Sequence, residues 1–475
     1  MKGPYYLAID QGGHATRALV FDEKGGVIAR SQVPVGAPSG GTLVEQDAEA
    51  VVASVRTAIA GALGPESRIA DGIVAAGLAT QRSSLVCWDT RTGEALTPVI
   101  GWQDRRAAAL MPRYQDHAFL IRERTGLVLS AHYGAAKMRW CLEQIPAVRA
   151  AAREGHLAMG PLASFLAYRL VEPRRLLADP ANAGRTLLWN RHTHTWDREL
   201  LALFDIPEEV LPECTPSRYP FGTLAARELA VPLAVLTGDQ SAALFAEGAP
   251  RPDTVYLNMG TGAFLQRPVG HNPGDDEALL WSTALLDGHE SIQVAEGTVH
   301  GAGGALDWAA NHLGYAGLAQ ACDRLLQEHG PRPLFVNAIG GLGSPYWRAD
   351  VESRFVGDGP VEAQAGAVLE SIVFLVTVNL LALRAASGSF AAILATGGLT
   401  ACDALCQALA DLAGTALRRP REHEGTARGL AWLVAGGPPH WPRTGGDVFQ
   451  PRPREDLAAR FAAWQALMPA PRAPE

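Results

Sequence analysis

Cysteine is scarce in this chain: Cys87, Cys141, Cys214, Cys322, Cys402 and Cys406 are six of 475 residues, with no CxxC pair and no Cys/His ligand spacing. That excludes a small disulfide-stapled scaffold and the zinc-ribbon class, and it favours a reducing compartment. Cys402 and Cys406 stand four apart in an expected helix and read as buried apolar filler. Positive charge is also short. Lys+Arg number 41 against 49 Asp+Glu, a net charge of −8, which argues against a nucleic-acid or anionic-membrane surface. Long apolar runs are missing too. The longest, 371–383, includes Thr377 and Asn379 and is bounded by Glu370 and Arg384, so no membrane span is expected. The first apolar run, Tyr5 to Ile9, ends at Asp10 and lacks the longer core of a secretory signal, which leaves a cytoplasmic protein as the expectation. No GxxxxGK[ST] and no GxSxG occurs, so a P-loop and a serine-hydrolase elbow are set aside.

What is present is a chain able to fold. Its length exceeds one ordinary hydrophobic core, and 48% of it is hydrophobic, so two or more domains are expected. Short β-type runs (5–9, 18–21, 73–80, 85–88, 233–237, 255–259, 393–396) alternate with helical stretches at 47–63, 363–386 and 400–413. The alternation predicts α/β layering. One pattern recurs. Tyr6-Leu7-Ala8-Ile9-Asp10-Gln11-Gly12-Gly13 leads into Arg17-Ala18-Leu19-Val20-Phe21, and Tyr256-Leu257-Asn258-Met259-Gly260-Thr261-Gly262 leads into Ala263-Phe264-Leu265. Each is strand, glycine turn, returning strand, offset by 249 positions from Gly12 to Thr261. Such turns let backbone amides close on a phosphate oxygen, although a glycine hairpin is more often only a hairpin. A boundary is expected in Gly248-Ala249-Pro250-Arg251-Pro252, giving halves 1–247 and 248–475.

Four further stretches could carry chemistry, each with a plainer reading beside it. Asp10, at the mouth of the first turn, could hold Mg²⁺ on phosphates, or merely stabilise the turn. Asp239, in Thr237-Gly238-Asp239-Gln240-Ser241, could orient and deprotonate a substrate hydroxyl, or merely cap a helix. Arg82 could fork onto vicinal oxygens and Trp102 could cover the apolar face of a polyol, against a surface ion pair and a core indole. Thr396-Gly397-Gly398 has a shape suited to an adenine or phosphate contact, against a simple strand-to-helix turn.

Taken together these blocks resemble the FGGY carbohydrate kinases, with glycerol kinases the nearest in pattern. The resemblance runs through Ile9-Asp10-Gln11-Gly12, Val44-Glu45-Gln46-Asp47, Thr80-Gln81-Arg82, Trp102-Gln103-Asp104-Arg105-Arg106, Lys137-Met138-Arg139-Trp140, Gly238-Asp239-Gln240, Gly260-Thr261-Gly262-Ala263-Phe264, Gly340 to Trp347 and Gly397-Gly398. It implies the two-domain actin/hexokinase-like (ribonuclease H-like) ATPase fold with an interdomain cleft. It also implies an ATP- and Mg²⁺-dependent kinase acting on a small sugar or polyol, and a homodimer. On that resemblance Asp239 is the general base, and Asp10 with Asp239 holds the metal. Arg82, Ser83, Trp102, His132, Gln240 and Phe264 line the acceptor pocket. Gly12, Gly13, His14, Arg17, Thr261, Gly303, Asp307, Gly398 and Cys402 face ATP.

The chain departs from the glycerol-kinase pattern at telling places. Gly12-Gly13-His14-Ala15 stands where those kinases carry Gly-Thr-Thr-Ser, which removes hydroxyl donors to phosphate and brings in an imidazole. Ser83 replaces a glycerol-binding Glu and His132 a Tyr; Asp307 replaces a Gln, and Cys402-Asp403 stands where Asn is frequent. A short hydroxyl cannot accept the two hydrogen bonds of a carboxylate, so an acceptor bulkier than glycerol is expected. The alternative is a degenerate member that binds nucleotide or sugar with little turnover.

Overall fold

The computed structural model describes residues 3–36, 43–64, 69–226, 229–270, 276–288, 290–328, 330–421 and 424–470. The chain forms two compact units. The first is Met1–Pro250 with Ser282–Gln293 and Glu424–Arg443, and the second is Arg251–Trp281 with Val294–His423 and Thr444–Glu475. The main break falls at the Pro250/Arg251 step, and two later segments return to the first unit.

The first unit is built on a seven-stranded sheet of β1 (Tyr5–Gln11), β2 (Ala15–Asp22), β3 (Val27–Pro34), β4 (Ile73–Thr80), β5 (Val171–Glu172), β6 (Arg218–Ala226) and β7 (Leu229–Gly238), in the order β3-β2-β1-β4-β7-β6-β5. The meander β1-β2-β3 is antiparallel, while β4 runs parallel to both β1 and β7. The central strands read as continuous apolar runs because both faces are covered. On one side lies the helix Ala48–Leu63, capped by Asp47, which accepts the Ala50 amide at 2.7 Å. The helix Gly425–Val434 packs against the sheet as well. A Cβ on Gly77 of β4 would meet Val434 at 2.6 Å and Leu430 at 2.8 Å, so glycine is needed there for the approach.

A second seven-stranded sheet repeats the plan with β8 (Thr254–Met259), β9 (Ala263–Pro268), β10 (Leu280–Asp287), β11 (Glu290–Val299), β12 (Ala392–Thr396), β13 (Leu417–Pro420) and β14 (Gly446–Phe449) in the order β10-β11-β9-β8-β12-β13-β14; it belongs to the second unit except for Ser282–Gln293 of β10 and β11, which count with the first. Again a meander, β8-β9-β11, joins a parallel neighbour, β12 beside β8. Its core includes the 27-residue helix Val361–Ser387. That helix is longer than the apolar run suggests and is apolar enough to cross a membrane, yet 89% of its apolar window is buried inside the fold, as expected of a core helix.

Two local expectations need correction. The stretch 400–413 is not one helix: a short 3₁₀ turn, Gly398–Ala401, ends at Cys402, whose extended backbone (φ −84°, ψ 110°) precedes the helix Asp403–Ala413. Cys402 and Cys406 therefore do not share one helical face. The cysteines are also not all unpaired, because Cys402 is bonded to Cys322 across 80 residues, from the helix Leu318–Gln327. Sequence spacing carries no sign of that pairing.

Candidate functional site

Strand register builds the site in the first unit. Gln11 of β1 lies opposite Thr80 of β4, which lies opposite Gly238 of β7, so the carboxyl ends of three parallel strands finish level. Residues at those ends and just beyond them, Asp10, Gln81, Arg82 and Asp239, are thereby gathered at one edge of the sheet, where α/β proteins place ligand groups.

Asp10 is 5% exposed. Its carboxylate reaches Arg17 Nη1, 3.5 Å away on the facing strand, and Arg17 Nε in turn lies 3.7 Å from Glu424. Burial, then the negative charge of Asp239, push the Asp10 carboxyl up to about 7, against the pull of Arg17. Asp239 is the first residue of the short helix Asp239–Ala243, whose N-cap is Gly238, so it is not a plain cap. Its Oδ1 accepts the Gln240 amide at 2.7 Å. Burial raises its carboxyl above the usual range, opposed by the positive charges of Arg82 and Arg185. Among the described residues no group of three His, Cys, Asp or Glu gathers to hold a metal. Two carboxylates, of which Asp239 raises the proton affinity of Asp10, are nonetheless a donor set suited to a hard divalent cation completed by phosphate oxygens.

Arg82 is not a surface ion pair. It is buried, and its guanidinium donates to Gln240 Oε1. A Cβ on Gly238 would strike Arg82 Cγ at 2.5 Å, so glycine at this position is what lets the arginine lie against the Asp239 turn. Ser83, also buried, sits in the left-handed region at φ +62°. Trp102 is half-buried rather than a core indole, and its ring meets that of His132 edge-on at 5.7 Å. The first glycine turn is closed by Gly12 N donating to Ala15 O at 3.0 Å, with Gly13 half-buried and His14 exposed.

Several contributors carried no assigned role in the sequence reading. Gln46 Nε2 donates to Gly13 O at 2.8 Å, and Gln81 Nε2 donates to Gln46 Oε1 at 2.8 Å, so two glutamines fasten the turn. Both fall inside the blocks that carry the family resemblance, which was the available signal. Thr426 Oγ1 donates to Asp239 O at 3.3 Å, and no local pattern points to it or to Glu424. The close approach behind this contact depends on Gly429, since a Cβ there would collide with Ala242 O.

The remaining expected residues lie in the second unit. Gly303 opens the helix Gly303–Leu313, and its amide donates to Gly260 O at 2.9 Å, while that of Gly304 donates to Thr261 O at 3.0 Å. A Cβ on Gly303 would meet Gly260 O at 2.6 Å, so the glycine turn and the helix N-terminus are pressed together. Asn258 of β8 pairs with Thr396 of β12, placing Gly397, at φ +95°, and Gly398 at the same strand ends. Asp307 is exposed on the helix, Phe264 is half-buried on β9, and Cys402 is buried with its sulfur on Cys322.

Residues 5–246 match the family model for the N-terminal domain of the FGGY family of carbohydrate kinases, and residues 255–436 match that for its C-terminal domain. Over 98% of its length the chain is 37% identical to a glycerol kinase of Trichlorobacter lovleyi, covering 94% of that protein. It is 37% identical to one of Methylobacterium nodulans over 90% of its length, covering 88% of that protein. In structure it resembles a glycerol kinase of Plasmodium falciparum crystallised with ADP (TM-score 0.86, 21% identity, 98% and 97% of the two chains). A xylulose kinase of Rhodospirillum rubrum is similar as well (TM-score 0.83, 21% identity, 98% of each chain). Two glycine-turn units, a buried aspartate at the strand ends and these matches lead to one conclusion: the chain belongs to the FGGY family of carbohydrate kinases.

Proposed function

We propose that the chain transfers the γ-phosphoryl group of ATP to a hydroxyl of a small sugar or polyol, with Asp239 as general base. The observation that carries this reading is the half-buried Asp239 carboxylate at the level ends of β4 and β7, beside the Arg82–Gln240 pair. The acceptor O–H donates to Asp239; as its oxygen bonds to the γ-phosphorus, the proton passes to the carboxylate and the bond to ADP breaks. Burial raises Asp239 toward the proton affinity a base needs near neutral pH. Arg82 orients vicinal oxygens and Trp102 covers the carbon face. Asp10 and Asp239 would hold Mg²⁺, which supplies charge neutralisation on the phosphates when bound. Thr261, Gly303, Asp307, Gly398 and Phe264 are the second unit's share, with Cys402 contributing backbone only because its sulfur is engaged. In this reading 1–247 carries the acceptor pocket and the ATP-facing residues Gly12, Gly13, His14 and Arg17, and 248–475 carries the adenine site. A cytoplasmic location and a homodimer follow from the family analogy.

Ser83 and His132 support an acceptor larger than glycerol: together they offer less hydrogen-bonding reach than the Glu and Tyr of the glycerol-kinase pattern, and extra acceptor oxygens would fill that space. The test is ADP release over a panel of polyols and ketoses. The expected outcome is turnover with a four- to six-carbon acceptor, reduced about 10²–10⁴-fold by Asp239→Asn with ATP still bound. Equal turnover by the Asn variant would remove the proposed base.

A further inference from the structure

Lys137 is the least expected charge in the first unit. It lies on the helix Gly134–Gln144, is 0% exposed, and has no carboxylate within ion-pair distance among the described residues. An amine is buried in this way only when its hydrogens are used. Two acceptors are in reach, and both are main-chain carbonyls: Gly101 O at 2.8 Å and Ser83 O at 3.3 Å. Gly101 precedes Trp102, and Ser83 is the residue at φ +62°. The helix that carries Lys137 begins just after His132, and its first amides are held elsewhere, Gly134 N on Arg185 O at 3.3 Å and Ala135 N on Thr186 O at 2.6 Å. One amine thus ties together the segments bearing Ser83, Trp102 and His132, which are separated by 19 and then 30 residues in sequence. The left-handed backbone at Ser83 turns its carbonyl toward the amine; an L residue holds that conformation only where surrounding contacts impose it. Charged groups near the amine are Asp104, Arg105 and Arg106, with the Cys141 thiol on its own helix. Burial lowers the amine to about 7.

We propose that Lys137 is a positioning residue of the acceptor pocket: by bridging the Ser83 and Gly101 carbonyls from the His132 helix it fixes the mutual placement of three pocket residues, and so governs acceptor binding without touching the acceptor. The inference rests on the reading of Ser83, Trp102 and His132 as that pocket. Preorganisation of this kind acts on one ligand only, because a pocket already in its bound shape spares the acceptor the cost of ordering it.

The test uses the full chain with Lys137→Met, which keeps the stem and removes the donors, and Lys137→Gln, which keeps donors without the charge. For Lys137→Met the KM for the acceptor rises roughly ten- to a hundredfold while the KM for ATP is unchanged. Lys137→Gln recovers part of the loss, and serves in place of the Met variant if that one does not fold. A crystal structure of whichever variant folds shows Ser83 leaving positive φ. An unchanged acceptor KM, equal changes in both KM values, or Ser83 still at positive φ beside an unshifted Gly101 overturns the proposal. Should the unaltered protein turn over no polyol or ketose, the pocket reading itself fails, and the crystal structure still decides whether Lys137 sets the Ser83 backbone.

Discussion

The two sheets share a plan and differ in what they place at its working edge. In each, an antiparallel meander with a glycine turn lies beside a parallel strand, β1-β2-β3 with β4 and β8-β9-β11 with β12. With Gly12 set on Thr261, Asp10 falls on Met259, a fully buried core residue. The first edge thus carries a buried and a half-buried carboxylate and a buried arginine, whereas the second carries almost bare backbone, Gly260, Thr261, Gly303 and Gly397, around a helix N-terminus. The same meander-plus-parallel-strand plan carries charged side chains at one edge and mostly backbone amides at the other. Charged chemistry and neutral phosphate cradling make opposite demands on a turn: the former needs side chains held in low dielectric, the latter needs side chains out of the way.

The contrast can be broken from either side. The largest effect is expected at Asp10. On the proposed metal-holding role, Asp10→Asn should cut turnover by about two orders of magnitude or more, measured by ADP release at saturating acceptor. The same substitution carries a pH signature. In the folded protein Asp10 binds its proton up to about 7, against 3.8 as the ordinary value, so between these limits the native state holds the extra proton and stability falls as pH rises. In chelator, Asp10→Asn should therefore raise the melting temperature clearly at pH 8 and little at pH 4; an equal shift at both would break the assignment. Next comes the neutral edge. Gly303→Ala puts a Cβ 2.6 Å from Gly260 O and should raise the KM for ATP about tenfold with the acceptor KM unchanged, separating the roles of the two turns. Smallest is the specificity change. Ser83→Glu with His132→Tyr should move preference toward glycerol by a few-fold to tenfold in kcat/KM, since one restored hydrogen-bonded pair is worth about 1 kcal/mol. No rise in glycerol turnover would refute the proposed pocket divergence.

Much of this was legible beforehand, for physical reasons. Runs such as Ile73–Thr80 read as strands because both faces are buried, and the helix Ala48–Leu63 because Asp47 caps it and its apolar residues recur at helical spacing. Asp10, Arg82 and Asp239 stood out as candidates at or near the ends of apolar strands, but strand position alone favoured the plainer readings, and only the family resemblance assigned them roles. What escaped was whatever depends on distant chain segments. The Cys322–Cys402 bond, the reach of Thr426 to the Asp239 turn and the bridge made by Lys137 are all set by tertiary packing, which leaves no local period in the sequence. The break at Cys402 was missed because apolar spacing continues across it while one residue turns extended.

The return of residues 424–443 to the first unit has a consequence for how the molecule is made. Leu430 and Val434 lie against Gly77, and Arg428 Nη1 donates to Gly25 O at 2.6 Å, so the earliest strands are sealed by one of the last helices. During synthesis the amino-terminal sheet must wait, partly uncovered, until nearly the whole chain has left the ribosome. A gene cut between the two family segments would yield a fragment with an open apolar face, prone to aggregate when expressed alone.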